Sequence, residues 1–160
     1  MALDCDHIID NIVLGSYPAI LTSKFQQEIK PRIIISMTPE EETYINTAKF
    51  SNVECYRFPI SSKMKSEDII TSIVSGANIL LQETARDLPS NIYIHCYEGV
   101  NRSAATVVYY MHLKYKWNLE HCIEFLSSKR KISINETMMA ILEYMIPTES
   151  QKMQCITGCE

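Results

Sequence analysis

The chain has 160 residues, 46% of them hydrophobic, with 15 Lys and Arg against 19 Asp and Glu for a net charge of −4. That length suits one domain able to bury roughly 70% of the surface its unfolded chain exposes. The small negative charge excludes a general attraction for nucleic acid or anionic membrane, and no run reaches the ~18 apolar residues of a membrane span.

The opening segment, Met1-Ala2-Leu3-Asp4-Cys5-Asp6, is acidic and lacks the basic-then-apolar layout of a signal peptide. Six cysteines at positions 5, 55, 96, 122, 155 and 159 show no zinc spacing. They are expected as free thiols in a reducing compartment, the cytoplasm or nucleus. The pattern then predicts strands over 12–14, 32–36 and 53–58, with a helix over 20–29 that Pro31 ends. Residues 67–88 place Ile69, Ile70, Ile73, Val74, Ala77, Leu80, Leu81 and Leu88 at helical spacing, with Ser66 as the expected N-cap. Pro89-Ser90-Asn91 turns the chain into a short apolar strand over 91–95. An almost wholly apolar helix follows over 104–116, a break at Trp117-Asn118, and helices over 119–129 and 135–146. Between these last two, Lys129-Arg130-Lys131 is read as a solvated basic loop, with a docking role as the alternative. The alternation predicts an α/β fold: one domain over 1–147, a central, mostly parallel sheet flanked by helices, then a flexible polar tail over 148–160 carrying Cys155 and Cys159.

The chemistry concentrates in His95-Cys96-Tyr97-Glu98-Gly99-Val100-Asn101-Arg102-Ser103, between the 91–95 strand and the apolar helix. A short loop ending at a helix N-terminus can turn successive N–H groups inward as a cradle for an anion, helped by the helix dipole. Gly99 permits the sharp turn, and Arg102 can close the cradle with a planar fork on two phosphate oxygens. In such a positive field a thiol pKa falls from about 8.5 into a range of roughly 3.5–7.5, so Cys96 is expected as a thiolate nucleophile. Ser103 is placed to hydrogen-bond the sulfur and assist its departure. Tyr97, Glu98, Gly99, Val100 and Asn101 would line the substrate pocket, with His95 as a buttress of the loop.

His95-Cys96-x-x-Gly99-x-x-Arg102-Ser103 resembles the active-site motif of cysteine-dependent protein tyrosine phosphatases. The rest resembles their small dual-specificity branch. Asp10-Asn11-Ile12-Val13-Leu14-Gly15-Ser16 is similar to its opening strand, Arg32-Ile33-Ile34-Ile35-Ser36 to the next, and Tyr56-Arg57-Phe58-Pro59-Ile60 to the strand before its acid loop. Ile132-Ser133-Ile134-Asn135, with Met138 and Leu142, resembles the family's closing motif, with Ile134 where proline is usual. The resemblance covers about residues 7–146. It implies the phosphatase fold and hydrolysis of phosphotyrosine, with phosphoserine and phosphothreonine as further substrates, through a phosphocysteine. It requires no cofactor and no metal, and its partner is a phosphoprotein.

One position departs from that pattern. The family's general acid is an aspartate three residues after the proline, and counting from Pro59 reaches Ser62. Ser61-Ser62-Lys63-Met64-Lys65 contains no carboxylate. Glu67 and Asp68 are the nearest substitutes, although acidic residues in a first helical turn also suit the helix dipole. The gap leaves three readings: a protein phosphatase lacking the usual acid, an RNA 5′-triphosphatase-like enzyme whose diphosphate leaves unprotonated, and a phosphoprotein-binding module without turnover. Asn101 beside the arginine suits the second reading, whereas Glu98 opposes polyanionic substrates and favours basic residues around a phosphosite. Lys63, Lys65 and Arg57 lie near enough in sequence to offset it. Cys55 is expected in the core, with a resolving role toward Cys96 as the alternative.

Overall fold

The computed structural model describes residues 2–148. Strands β1 (Cys5–Ile9), β2 (Ile12–Gly15), β3 (Pro31–Ser36), β4 (Glu54–Arg57) and β5 (Asn91–His95) form one sheet in the order β1-β2-β5-β3-β4. Every neighbouring pair is parallel except β1 and β2, so the expected mostly parallel α/β sheet is present. The helices are α1 (Tyr17–Ile20), α2 (Phe25–Ile29), α3 (Ser66–Thr84), α4 (Arg102–Tyr115), α5 (Leu119–Lys129) and α6 (Glu136–Met145).

Alternation along the central strands fills two cores. Ile12, Leu14, Ile33, Ile35, Ile92 and Ile94 meet one cluster with Ile73, Leu80, Val107, Leu126 and Leu142 from the four long helices. Val13, Ile34 and Tyr93 point the other way, onto Ile20, Phe25, Ile29 and Phe50. Successive strand residues face opposite sides of a sheet, and a parallel sheet covered on both faces needs apolar side chains at every position. The unbroken runs Ile33-Ile34-Ile35 and Ile92-Tyr93-Ile94 satisfy that requirement.

The N-terminal third departs from the sequence expectation in three places. β1 is an additional strand, joined to β2 by Asp10 and Asn11 with φ of 53° and 65°. Two left-handed residues make a tight hairpin turn, and Asp and Asn tolerate that conformation. The single helix expected over 20–29 is two short ones. Ser16 caps α1 by accepting from the Ala19 N–H, and the Thr22 hydroxyl donates to the Ala19 carbonyl where α1 ends. Side chains that bond local backbone in this way compete with helix continuation. A single 3-10 turn, Thr47–Phe50, also precedes β4.

Three further differences lie downstream. Ser66 is the first residue of α3 and Lys65 stands at its N-cap without a side-chain bond. α3 ends at Thr84, short of Leu88, and the chain leaves it through Asp87 at φ 52°. Cys55 is exposed because β4 is an edge strand, so it is not a core residue. The expected tail falls almost wholly on residues 149–160, outside those described, and Cys155 and Cys159 with it.

β5 is the middle strand. Its last residue, His95, lies in register with Gly15 of β2 and Ser36 of β3. The loop that follows therefore rises from the centre of the sheet's C-terminal edge and feeds directly into the buried helix α4. In parallel α/β sheets this edge is where ligands bind.

Candidate active site

The loop from Cys96 to Asn101 has all six of its carbonyls directed to donors outside the cradle. The Cys96 carbonyl accepts from His95 Nδ1 at 2.8 Å, and the Tyr97 carbonyl from the Tyr17 N–H at 2.8 Å. Arg130 serves the next two, donating from Nη2 to Glu98 at 2.9 Å and from Nε to Gly99 at 2.8 Å. The Val100 carbonyl accepts from the Ser133 N–H at 2.9 Å, and the Asn101 carbonyl from the Ala105 N–H at 2.9 Å within α4. With the carbonyls held outward, the amide N–H groups turn inward, and those of Gly99, Asn101 and Ser103 stabilise the charged form of the Cys96 sulfur.

Gly99 makes the turn at φ 71°, with its Cα packed against the Gly15 backbone; a Cβ there would collide with the Gly15 carbonyl. Any other residue would meet both the left-handed conformation and this contact. Asn101 adds a side-chain link, accepting on Oδ1 from the Asn135 N–H at 2.9 Å, while the Asn135 side chain caps α6 by accepting from the Met138 N–H. The closing motif thus holds the loop, and Ile134 in the place of proline leaves both bonds in position.

Cys96 is 2% exposed, with its Sγ 3.1 Å from Ser103 Oγ. Burial alone would raise the thiol pKa. The Ser103 hydroxyl and the three amide N–H groups outweigh it, so the net shift is downward from the ordinary value. The Arg102 guanidinium also stabilises the thiolate electrostatically. These donors all favour the charged form.

Arg102 divides its donors between support and pocket. Nη1 donates to the Ile60 carbonyl at 2.9 Å and to Glu42 Oε2 at 3.0 Å, and Nη2 donates to Glu42 Oε1 at 2.5 Å. The guanidinium holds the Glu42 carboxyl below its usual range. This bidentate pair fixes the plane of the fork and leaves donor capacity on Nε and Nη2. Glu42 is itself presented by a loop that Arg57 braces, donating to Thr38 and Thr43 through both backbone and hydroxyl oxygens. Arg57 is therefore committed to this loop rather than to offsetting Glu98.

His95 is fully buried. Its Nδ1 donates to the Cys96 carbonyl at 2.8 Å, and its Nε2 hydrogen-bonds the Ser36 hydroxyl at 2.7 Å. Burial, reinforced by Arg57 and Arg102, pushes its pKa down to about 4 against the pull of the Cys96 bond.

The structure thus brings together Cys96, Gly99, Asn101, Arg102 and Ser103. Tyr97 and Glu98 stand exposed on the rim, with Val100 half-buried. The loop over 61–65 is a turn closed by the Met64 N–H on the Ser61 carbonyl, with Ser62 exposed. Glu67 and Asp68 lie exposed in the first turn of α3, where Glu67 faces a groove shared with Thr137 and Tyr144 of α6. Sequence reasoning missed Tyr17, Glu42 and Ser133 as supports. It also placed Arg130 in a solvated basic loop, whereas Arg130 is 7% exposed and bonded to two loop carbonyls and to Asp4 and Asp6. Lys129 and Lys131 are exposed, as that reading expected. Among the described residues no cluster of three or more His, Cys, Asp or Glu could hold a metal ion.

Residues 12–146 match the family described as the dual specificity phosphatase catalytic domain. The chain belongs to that family. It is 36% identical over 140 residues to the human protein phosphatase Slingshot homolog 2, an alignment covering 85% of this chain and 9% of that protein. Against the Xenopus laevis protein phosphatase Slingshot homolog it is 43% identical over 49 residues, 31% of this chain and 7% of that one. The chain spans less than a tenth of the length of these curated relatives. Among solved structures, DUSP15 superposes with a TM-score of 0.74 at 18% identity, covering 96% of this chain and 94% of that one. PTPMT1 in complex with PI(5)P gives 0.72 at 22% identity, covering 94% and 98%. These two show the shared fold.

Three outcomes follow from the geometry. Alkylation of Cys96 by iodoacetamide, followed against pH, should give a midpoint below that of an ordinary thiol, and Ser103→Ala should move the midpoint upward. Arg130→Met leaves two loop carbonyls without their donor, at about 1–3 kcal/mol each, so urea denaturation should show a loss of about 3 kcal/mol. Arg130→Lys, which can reach fewer of these acceptors, should fall between. Because folded His95 titrates near 4 against 6.5 for a free histidine, the unfolded chain binds the extra proton first as pH falls. Its contribution is complete above pH 6.5 and disappears toward pH 4, a change on the order of 3 kcal/mol. His95→Asn should flatten the stability profile across that window.

Proposed function

We propose that this domain hydrolyses phosphate monoesters on proteins, phosphotyrosine foremost and phosphoserine and phosphothreonine more slowly. The observation that carries this reading is the convergence of three amide N–H groups, the Ser103 hydroxyl and the Arg102 guanidinium on a buried cysteine sulfur. Such an array serves an oxyanion as it forms. The Cys96 thiolate attacks phosphorus, an S–P bond forms, and the P–O bond to the substrate breaks. Arg102 and the loop amides take up the charge of the equatorial oxygens. Water then attacks the phosphocysteine and the S–P bond breaks. Sulfur leaves as the thiolate, stabilised by Ser103 and the amides, and inorganic phosphate is released.

The leaving oxygen is the distinguishing point. With Ser62 in the acid position and no carboxylate over 61–65, the leaving group departs largely as its anion. A phenolate tolerates that far better than an alkoxide, which is why phosphotyrosine leads. Glu67 and Asp68 remain the nearest alternative acids, and their position in the first turn of α3 supports a helix-stabilising role instead. Exposed Glu98, and exposed Glu40 and Glu41 beside Glu42, support a protein substrate over triphosphate-ended RNA. The four described cysteines are free thiols, which supports a reducing compartment, the cytoplasm or nucleus.

The test is a series of aryl phosphates of graded leaving-group acidity, assayed with wild type, Cys96→Ser and Ser62→Asp. Wild type should show kcat/KM falling steeply as the phenol becomes less acidic, and Cys96→Ser should abolish turnover. Ser62→Asp should flatten the dependence and raise turnover of phosphotyrosine by about 100-fold, the lower end of what general acid catalysis supplies. A flat wild-type series that steepens in Asp68→Asn or Glu67→Gln would assign the acid to that carboxylate instead.

A further inference from the structure

Four large apolar side chains stand exposed among the described residues, and three of them gather at one edge of the catalytic loop: Leu21 (64%), Tyr44 (59%) and Tyr97 (44%). Leu21 and Tyr44 line a cleft of about 490 Å³ floored by Ile20, Ile45 and Phe50, all under 10% exposed. The cleft is continuous with the phosphate loop through one side chain. Tyr17 lines it, packs its ring 5.8 Å from that of Tyr97, stacks on His95 and donates its N–H to the Tyr97 carbonyl. The Tyr17 hydroxyl donates to the Tyr44 carbonyl at 2.5 Å, so the two walls are tied together. Lys49 is the one ionisable group besides the tyrosines in the lining.

We propose that this cleft receives a bulky apolar side chain of the phosphoprotein substrate, two or three residues from the phosphorylated one. The inference rests on the reading of Cys96 as a phosphatase nucleophile and adds the substrate feature recognised beside it. An extended peptide advances about 3.4 Å per residue, so two residues span roughly 7 Å, comparable to the 5.8 Å step from the Tyr97 ring to the Tyr17 ring that lines the cleft. Ile20, Ile45 and Phe50 on the floor and Tyr17 and Tyr44 on the walls favour a leucine- or phenylalanine-sized group. Thr22, Ser23, Gln26 and Asn46 complete a polar rim, and the lone cation Lys49 gives no field for a polyanion. Burying such a group is strong enough to be read as specificity rather than as general stickiness, about tenfold or more.

The experiment uses phosphotyrosine peptides that differ only in carrying Leu, Phe, Ala or Asp two or three residues to either side of the phosphotyrosine. Steady-state kinetics would be run beside 4-nitrophenyl phosphate, and Kd measured by fluorescence anisotropy on Cys96→Ser. A Leu or Phe at one of these positions should raise kcat/KM about tenfold over Ala, chiefly through KM, and tighten Kd in parallel. Leu21→Asp and Tyr44→Ala alter exposed side chains only; each should erase that preference while leaving 4-nitrophenyl phosphate turnover as in wild type. Equal kcat/KM and Kd across the peptides, or a preference that persists in both variants, overturns the docking cleft. Absence of 4-nitrophenyl phosphate turnover removes the phosphatase reading alone. The Kd series then decides docking by itself: an apolar preference lost in Leu21→Asp upholds it, and uniform affinities overturn it.

Discussion

Six consecutive carbonyls, from Cys96 to Asn101, must point away from the phosphate cradle, and the rest of the architecture can be understood from how each is held. A peptide unit that turns its oxygen outward turns its hydrogen inward, so the outward bonds create the inward anion site. Buried carbonyls without donors would cost the free energy of unmade hydrogen bonds. The donors come from all around the loop: His95 at the end of β5, Tyr17 at the start of α1, Arg130 after α5, Ser133 before α6 and Ala105 in α4. The two cores bring these elements together. Ile92 and Ile94 anchor β5 to the helical side, Tyr93 anchors it to α2, and the missing Cβ of Gly99 lets the loop lie against the Gly15 backbone of β2.

Charge is arranged on the same plan. Arg130 is a buried cation whose field is shared between two carbonyls and the partly exposed Asp4 and Asp6, so it braces the loop while its charge is locally neutralised. Arg102 is paired with Glu42 on one edge and directed at sulfur from the other. A carboxylate so close to the cradle would oppose phosphate if it faced it. Engaged in two bonds to the guanidinium, Glu42 instead limits the rotamers of a long, flexible side chain, so less entropy is lost when an anion arrives. Neutral His95 completes the scheme, because a second cation under the loop would have to be buried without a carboxylate partner.

How much of this was legible in the sequence depended on distance along the chain. Cys96, Gly99, Arg102 and Ser103 fall within eight residues, where spacing alone reports geometry, and the apolar runs of β3, β5 and α4 identified the buried sheet and helix. Glu42 lies 60 residues from its partner Arg102 and sits in Glu40-Glu41-Glu42, with nothing local to separate it from its exposed neighbours. Arg130 likewise sits in a basic triplet of which the flanking lysines are solvated, and it became a support only through the fold. The omission of β1 is different in kind. Asp10-Asn11 between Ile8-Ile9 and Ile12-Val13 is a hairpin signal carried by the residues themselves. The helix expected over 20–29 failed because Thr22 and Ser23 interrupt it, a local competition that apolar periodicity does not register.

The unequal condition of the two halves of the chemistry has a structural basis. The nucleophile half is locked to the fold: altering the loop disturbs six carbonyl bonds, two helix starts and the contact of Gly99 with Gly15. In the proposed mechanism the acid half depends on the turn over 61–65, held by the Met64 N–H on the Ser61 carbonyl, the Ser61 N–H on the Met64 sulfur and the Lys65 carbonyl on the Asp68 and Ile69 N–H groups. The neighbouring Ile60 carbonyl already serves Arg102 through backbone alone, so the identity of the side chain two positions on is free of structural demand. On the proposed mechanism, serine in that position changes the chemistry without changing the architecture. Stability falls on the cradle, and in the proposed mechanism leaving-group selectivity falls on the turn. A substrate whose oxygen departs readily as an anion meets the first half intact and has little need of the second.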